Sequence, residues 1–239
     1  FVASKGDILY LKGNPATGKA EVRNVIFSGF GGGSESASST RHLLHSFTWG
    51  PDNRIYGGTA GGGGMVNSMA TASAVSVSMA GSDFSFDPRT LNLRRELGPS
   101  ESGLSFDPAG QRYLCDPSHP VRAALYPDLY LERNPFFSAP PQVLDAGNPA
   151  TMVYSLARNQ VTNSTASGTH QQPSGSRNPT NQATAVWITS AAGLLVYRGT
   201  AFPSNYYGNV FVADRENHLI HRAILTDNGI TTVAVDSRV

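Results

Sequence analysis

The sequence predicts an all-β chain, and three observations carry that prediction. Apolar residues come in short bursts of strand length. The gaps between bursts hold turn-forming residues. No long stretch shows helical periodicity. Glycine (25) and proline (15) are plentiful among the 239 residues, as many short strands joined by tight turns require.

The elements follow in order. Ile8-Leu9-Tyr10-Leu11 runs into Gly13-Asn14-Pro15 and then Val22 to Phe27. Phe47-Thr48-Trp49 leads through Pro51-Asp52-Asn53 to Ile55-Tyr56. Phe84-Ser85-Phe86 stops at Asp87-Pro88. Leu104-Ser105-Phe106 passes Asp107-Pro108-Ala109-Gly110 before Tyr113-Leu114. Leu194-Leu195-Val196-Tyr197 is followed, past Pro203, by Asn209-Val210-Phe211-Val212. Phe1 opens on the first strand pattern, so the expectation is a stretch of a longer, processed polypeptide whose leader lies outside it.

A repeat underlies the pattern. Trp49 to Tyr56 and Phe106 to Tyr113 share one outline: a strand ends, an Asp-containing turn follows, and a second strand starts with an aromatic. Weak repeats of four strands each predict a β-propeller. Blades are expected at about 1–30, 42–98, 103–150 and 186–236, part of a six-bladed whole. Trp49, Phe86, Phe106, Tyr197 and Phe211 are the expected inter-blade filling. A β-sandwich has the same strand spacing, and the pattern alone leaves both open.

Three segments break the rhythm: Gly31 to Thr40, Gly57 to Gly81, and Arg158 to Gln182. They read either as solvated loops or as segments lining a site. The run Gly61 to Gly64 lacks the Gly-Lys-Ser/Thr ending of a phosphate loop.

Composition excludes several classes. Charged residues make up 15% of the chain, against about 25% usually, and the formal charge is +1. That gives no electrostatic case for nucleic acid or an anionic membrane surface. No apolar run approaches the ~20 residues of a membrane-spanning helix. Cys115 stands alone, which excludes an intrachain disulfide, a cysteine-based metal site and a CXXCH haem attachment.

Arg41 to Gly57 resembles the catalytic-site strand pair of the soluble pyrroloquinoline-quinone (PQQ) sugar dehydrogenases. In that family a histidine precedes the Gly-Pro-Asp turn at the spacing that His42 keeps to Gly50. Ile188 to Ala213 resembles a late blade of the same enzymes. The segments Ser82 to Pro88, Gly103 to Asp107, Tyr130 to Pro135 and Asn217 to Arg222 resemble a subgroup labelled membrane-bound dehydrogenases in planctomycete-type bacteria. Two features depart from those patterns. The turn Gly13 to Glu21 has one acid where the subgroup has an Asp-rich turn, and Pro99 to Ser102 stands where the sugar dehydrogenases carry an arginine.

The resemblance implies a periplasmic or extracellular quinoprotein that oxidises a small sugar or alcohol with PQQ and Ca²⁺. A cytochrome c domain outside this chain would be its redox partner. It assigns His42 as the general base, a role that suits imidazole. It assigns Arg198 to the quinone, where a guanidinium can hold a carboxylate bidentately. It places Asp116 near the calcium ligands. Each residue also has a structural reading: His42 as a surface histidine, Arg198 as an edge cation, Asp116 as a turn former beside Pro117. His218 and His221, with Asp214 and Glu216, form the densest ionisable cluster, read as structural with Asn217 in a turn. The competing expectation is a propeller that lacks the cofactor site and serves as a binding or structural module of a larger secreted protein. A lactonase-like hydrolase would need a central acidic set that the sequence does not offer.

Overall fold

The computed structural model describes residues 1–31, 44–70, 75–127, 140–147, 152–155, 184–188, 190–229 and 232–236, with single positions between 130 and 138. Its strands, in chain order, are β1 (Val2–Ser4), β2 (Asp7–Asn14), β3 (Lys19–Ser28), β4 (His45–Trp49), β5 (Ile55–Gly58), β6 (Met65–Ser68) and β7 (Val77–Ser78). They continue as β8 (Asp83–Phe86), β9 (Leu93–Glu96), β10 (Gly103–Phe106), β11 (Arg112–Cys115), β12 (Arg122–Ala124) and β13 (Val143–Asp145). The last are β14 (Met152–Ser155), β15 (Thr184–Trp187), β16 (Ala191–Val196), β17 (Val210–Asp214), β18 (Leu219–Asp227) and β19 (Thr232–Asp236).

The fold is all-β and antiparallel within every sheet. The first sheet runs β1-β2-β3-β6-β7, the second β4-β5-β8-β9, the third β10-β11-β12-β13 and the fourth β16-β17-β18-β19, with β14 and β15 a separate pair. The second, third and fourth sheets are thus four-stranded, and the third and fourth are simple meanders. In the second sheet the chain leaves after β5 and lends β6 and β7 to the first sheet, where Phe27 and Ser28 pair with Ser68 and Asn67. The segment Gly57 to Gly81, expected as a loop, therefore carries two strands. The Gly31 to Thr40 and Arg158 to Gln182 segments fall outside the described residues, Gly31 apart.

The repeated hairpins are the same object twice. In the first, Gly50 N–H donates to the Arg54 carbonyl and Asn53 N–H to the Gly50 carbonyl. In the second, Asp107 N–H donates to the Gln111 carbonyl and Gly110 N–H to the Asp107 carbonyl. Asn53 (φ 62°) and Gly110 (φ 90°) hold the left-handed position of each turn. Asparagine and glycine are the residues that tolerate it.

The sheets stack in sequence order, with an apolar layer between neighbours. Ile8, Ile26, Phe27 and Phe30 meet Ile55, Phe84 and Phe86 between the first and second sheets. Leu97 meets Leu104, Phe106 and Leu114 between the second and third. Tyr113, Cys115 and Ala123 meet Leu194, Val196, Val210 and Val212 between the third and fourth. Phe86 and Phe106 are buried as expected, while Tyr197 and Phe211 are half-buried. Trp49 is not filling: it is 60% exposed. It ends β4 beside the turn, where no neighbouring sheet covers it.

The first strands of successive sheets run in the same direction. Gly193 N–H donates to the Ser102 carbonyl, and Val196 N–H donates to Ser105 Oγ at 3.0 Å, so β10 and β16 advance together. His45 Nε2 lies 3.2 Å from the Ser100 carbonyl, which aligns the start of β4 with the start of β10. The stack therefore has two ends: an entry end, where β4, β10 and β16 begin, and a turn end, where the repeated hairpins close.

Candidate functional site

Among the described residues, the interface between the second and third sheets holds three of the buried charged side chains, Arg54, Asp83 and Arg112. Alternation along β8 sends Phe84 and Phe86 to the first sheet and leaves Asp83 and Ser85 for the third. Asp83 is fully buried, and Arg54 and Arg112 nearly so. Arg54 Nε donates to Ser85 Oγ at 2.8 Å, and its Nη2 donates to the Ser85 and Asn92 carbonyls. Ser85 Oγ in turn donates to Glu96 Oε1 at 2.6 Å. Arg112 crosses from the third sheet, donates to the Leu97 carbonyl and lies over the Tyr56 ring, 5.7 Å from its centroid. Tyr56 donates its hydroxyl to Asp52 at 3.1 Å.

Asp83 Oδ1 accepts the N–H groups of Thr59 (3.3 Å) and Ser100 (3.0 Å). Asp83 Oδ2, Ser100 Oγ and Arg112 Nη1 are buried without a hydrogen-bond partner. Burial raises the Asp83 carboxyl to about 6, against the pull of the Arg112 guanidinium and the Ser100 N–H. Burial also raises Glu96, with the Ser85 hydroxyl and Arg112 acting the other way. On the same entry end, burial holds His45 below the ordinary imidazole value, opposed by its bond to the Ser100 carbonyl. A carboxyl that titrates near neutrality can exchange a proton at working pH. A cleft of about 220 Å³ opens beside this layer, lined by Asp52, Tyr56, Glu96, Phe106, Gln111 and Arg112 among others.

The residues singled out by the sequence fall elsewhere. His42 lies outside the described residues. Asp116 follows β11 at the entry end. Its Oδ1 accepts the N–H groups of Ser118 and His119, both at 2.9 Å. His119 Nδ1 is 2.8 Å from both of its oxygens, and Arg122 Nη1 is 3.2 Å from Oδ2. Asp145 completes the network, 3.5 Å from Arg122 Nε and 3.9 Å from His119 Nε2. Calcium needs six to eight oxygens. Here both oxygens of Asp116 face an imidazole and a guanidinium, so the residues around it do not fit calcium. Among the described residues no group of three or more His, Cys, Asp or Glu side chains could hold a metal ion.

Arg198 is exposed, two residues past the end of β16. Pro117 O accepts the Ala191 N–H at the start of that strand, so Asp116 and Arg198 lie at opposite ends of β16. They do not share an opening. Asn217 sits in a turn as expected, its amide on Asp214 Oδ2 at 2.6 Å. His218 belongs to the same turn, with φ 55°, and not to the strand that holds His221.

A family model described as a domain of unknown function (DUF7133) matches residues 1–238. The chain belongs to that family. Searches of the curated proteins and of the solved structures return no match. Among the described residues no helix is long and apolar enough to cross a membrane.

The family's name assigns no activity, so the site must be read from its residues. Sequence reasoning missed Arg54, Asp83, Glu96 and Arg112. Arg54 and Arg112 each stand within or beside a repeated hairpin turn, which was the available signal. Asp83 had none, because its partners Thr59 and Ser100 are remote in sequence.

Proposed function

We propose that the stack is part of a β-propeller and serves as a non-catalytic binding or structural module of a larger secreted protein. One observation supports this above others: the outer face of the fourth sheet. Leu195 pairs with Phe211 and Phe211 with Arg222, Ala213 pairs with Ile220, and Ile224 pairs with Val235. Directly opposed residues share a face, so these side chains form one surface. Ile220 is 76% exposed, and Leu195, Ile224, Val233 and Val235 are also exposed. The other face of the same sheet is packed on the third. Contiguous apolar surface of this kind marks an interaction site. The three layers inside the stack each join sheet to sheet, so the fitting occupant is a further β-sheet of the larger polypeptide.

The test is the association state and dye binding of the 239-residue chain. Self-association, or strong binding of an anilinonaphthalene dye, is expected, and Ile220→Lys with Val235→Lys should abolish it. A monomer that binds no dye overturns the module reading. The competing reading is a PQQ- and Ca²⁺-dependent sugar or alcohol dehydrogenase using His42, Arg198 and Asp116. Its support is the segment resemblance. A spectral titration with PQQ and Ca²⁺ separates the two, because a module of the proposed kind leaves the quinone spectrum unchanged.

A further inference from the structure

A second cavity lies between the first sheet and the β8–β9 turn. Its volume is about 620 Å³, within the ~300–1,000 Å³ of small-molecule sites. Its floor is apolar: Phe1, Tyr10, Val25 and Leu91 line it. That floor is held from below. The Phe1 ring meets Tyr10 at 5.5 Å and stands edge-on to buried Phe86 at 5.1 Å, and Phe86 packs against Phe27 at 5.4 Å.

The charged lining has one sign. Arg23 and Arg89 border the cavity, and among the described residues no carboxylate lines it. Arg89 has Asp87 at 3.8 Å, with its side chain 84% exposed. Arg23 makes no ion pair with a described residue. A guanidinium at the edge of an aromatic and aliphatic floor matches a ligand with a planar anion at one end and an apolar body at the other.

We propose that this groove binds a small amphipathic carboxylate, an apolar group bearing one carboxyl. The apolar body lies against Phe1, Tyr10, Val25 and Leu91, and the carboxylate meets Arg23, with Arg89 as the second cation. The inference is independent of the module reading, which concerns the far face of the fourth sheet. The smaller cleft between the second and third sheets offers no comparable match, because its polar groups are largely committed to one another.

The experiment is calorimetric titration of the protein with 4-phenylbutyrate and with its uncharged amide. Saturable one-to-one binding of the acid is expected, at least tenfold tighter than the amide and weakened by salt. Arg23→Gln should weaken the acid at least fivefold and leave the amide unchanged. Arg94→Gln, outside the groove, should change neither. Val25→Asp places a carboxylate in the floor and should abolish binding of the acid. All these side chains are exposed, so the variants keep the fold. Absence of saturable binding, equal affinity for acid and amide, or full affinity in Arg23→Gln each overturns the proposal.

Discussion

Asp83 and Glu96 stand directly opposite each other in the register of β8 and β9, two carboxyl groups on one face of a sheet with the Arg112 guanidinium acting on both. Like charges directly opposed destabilise a sheet. The structure answers by letting burial favour the protonated form and by supplying one cation from the next sheet.

Stability should therefore fall as pH rises from about 4 to about 6. The folded Asp83 carboxyl sits at about 6, above its ordinary value of 3.8, so the folded state binds a proton that the unfolded chain has released. The contribution is fully present below 3.8 and lost on passing 6, and that gap corresponds to ~3 kcal/mol. His45, held low by burial, slopes the other way as pH falls through its own titration. Comparing urea midpoints of the wild type and Asp83→Asn across this range isolates Asp83. Equal slopes in the two proteins would refute its role.

Arg112→Met should cost about 3–5 kcal/mol. It leaves the Leu97 carbonyl without its donor and removes the cation that acts on buried Asp83 and half-buried Glu96, and a buried charge left uncompensated is strongly destabilising. Guanidinium denaturation reads the loss directly. The same experiment on Arg198→Met should show a change within about 0.5 kcal/mol, as at other exposed sites.

Gly103→Ala should separate the third and fourth sheets. A Cβ at this position would sit 2.5 Å from the Leu194 nitrogen and 2.9 Å from Cys115 Sγ, with backbone on one side and a buried side chain on the other. Overpacking of this kind costs about 1–3 kcal/mol. Gly13→Ala meets nothing within 4 Å and serves as the control, with little change expected in the thermal midpoint.

Cys115 should not react with a disulfide reagent until the protein unfolds. It is buried, and burial pushes its thiol up to about 12, so almost no thiolate exists at neutral pH. Rapid labelling of the native protein would show that the interface between the third and fourth sheets opens readily.

Asp116→Ala should destabilise by about 1–2 kcal/mol through the loss of its bonds to His119, Arg122 and the Ser118 amide. Added Ca²⁺ should leave the wild-type thermal midpoint where it is. A calcium-dependent rise that Asp116→Ala abolishes would reinstate this residue as a metal ligand.

Local chemistry made the strands legible. The turns at Pro51-Asp52-Asn53 and Pro108-Ala109-Gly110 lie between β4 and β5 and between β10 and β11, because Asn53 and Gly110 supply the left-handed residue each turn needs. Pairing between distant segments was not legible. Nothing local tells β6 to join β3 rather than β5, since that choice rests on Val66 and Met79 packing with Phe27. Trp49 followed the aromatic periodicity, yet exposure is decided by whether a neighbouring sheet reaches the end of a strand. The buried charges fared the same way. Arg54, Glu96 and Arg112 read as surface residues until the third sheet is laid over the second.

The loan of β6 and β7 to the first sheet has a consequence for synthesis. Phe27 and Ser28 must wait for Ser68 and Asn67, about 40 residues later. At roughly 5–20 residues per second on the ribosome, the nascent first sheet spends a few seconds with one edge unpaired. By the time its last strands arrive, the β4–β5 hairpin has also emerged. The first sheet is therefore completed while the second is half-built, before β8 and β9 have emerged.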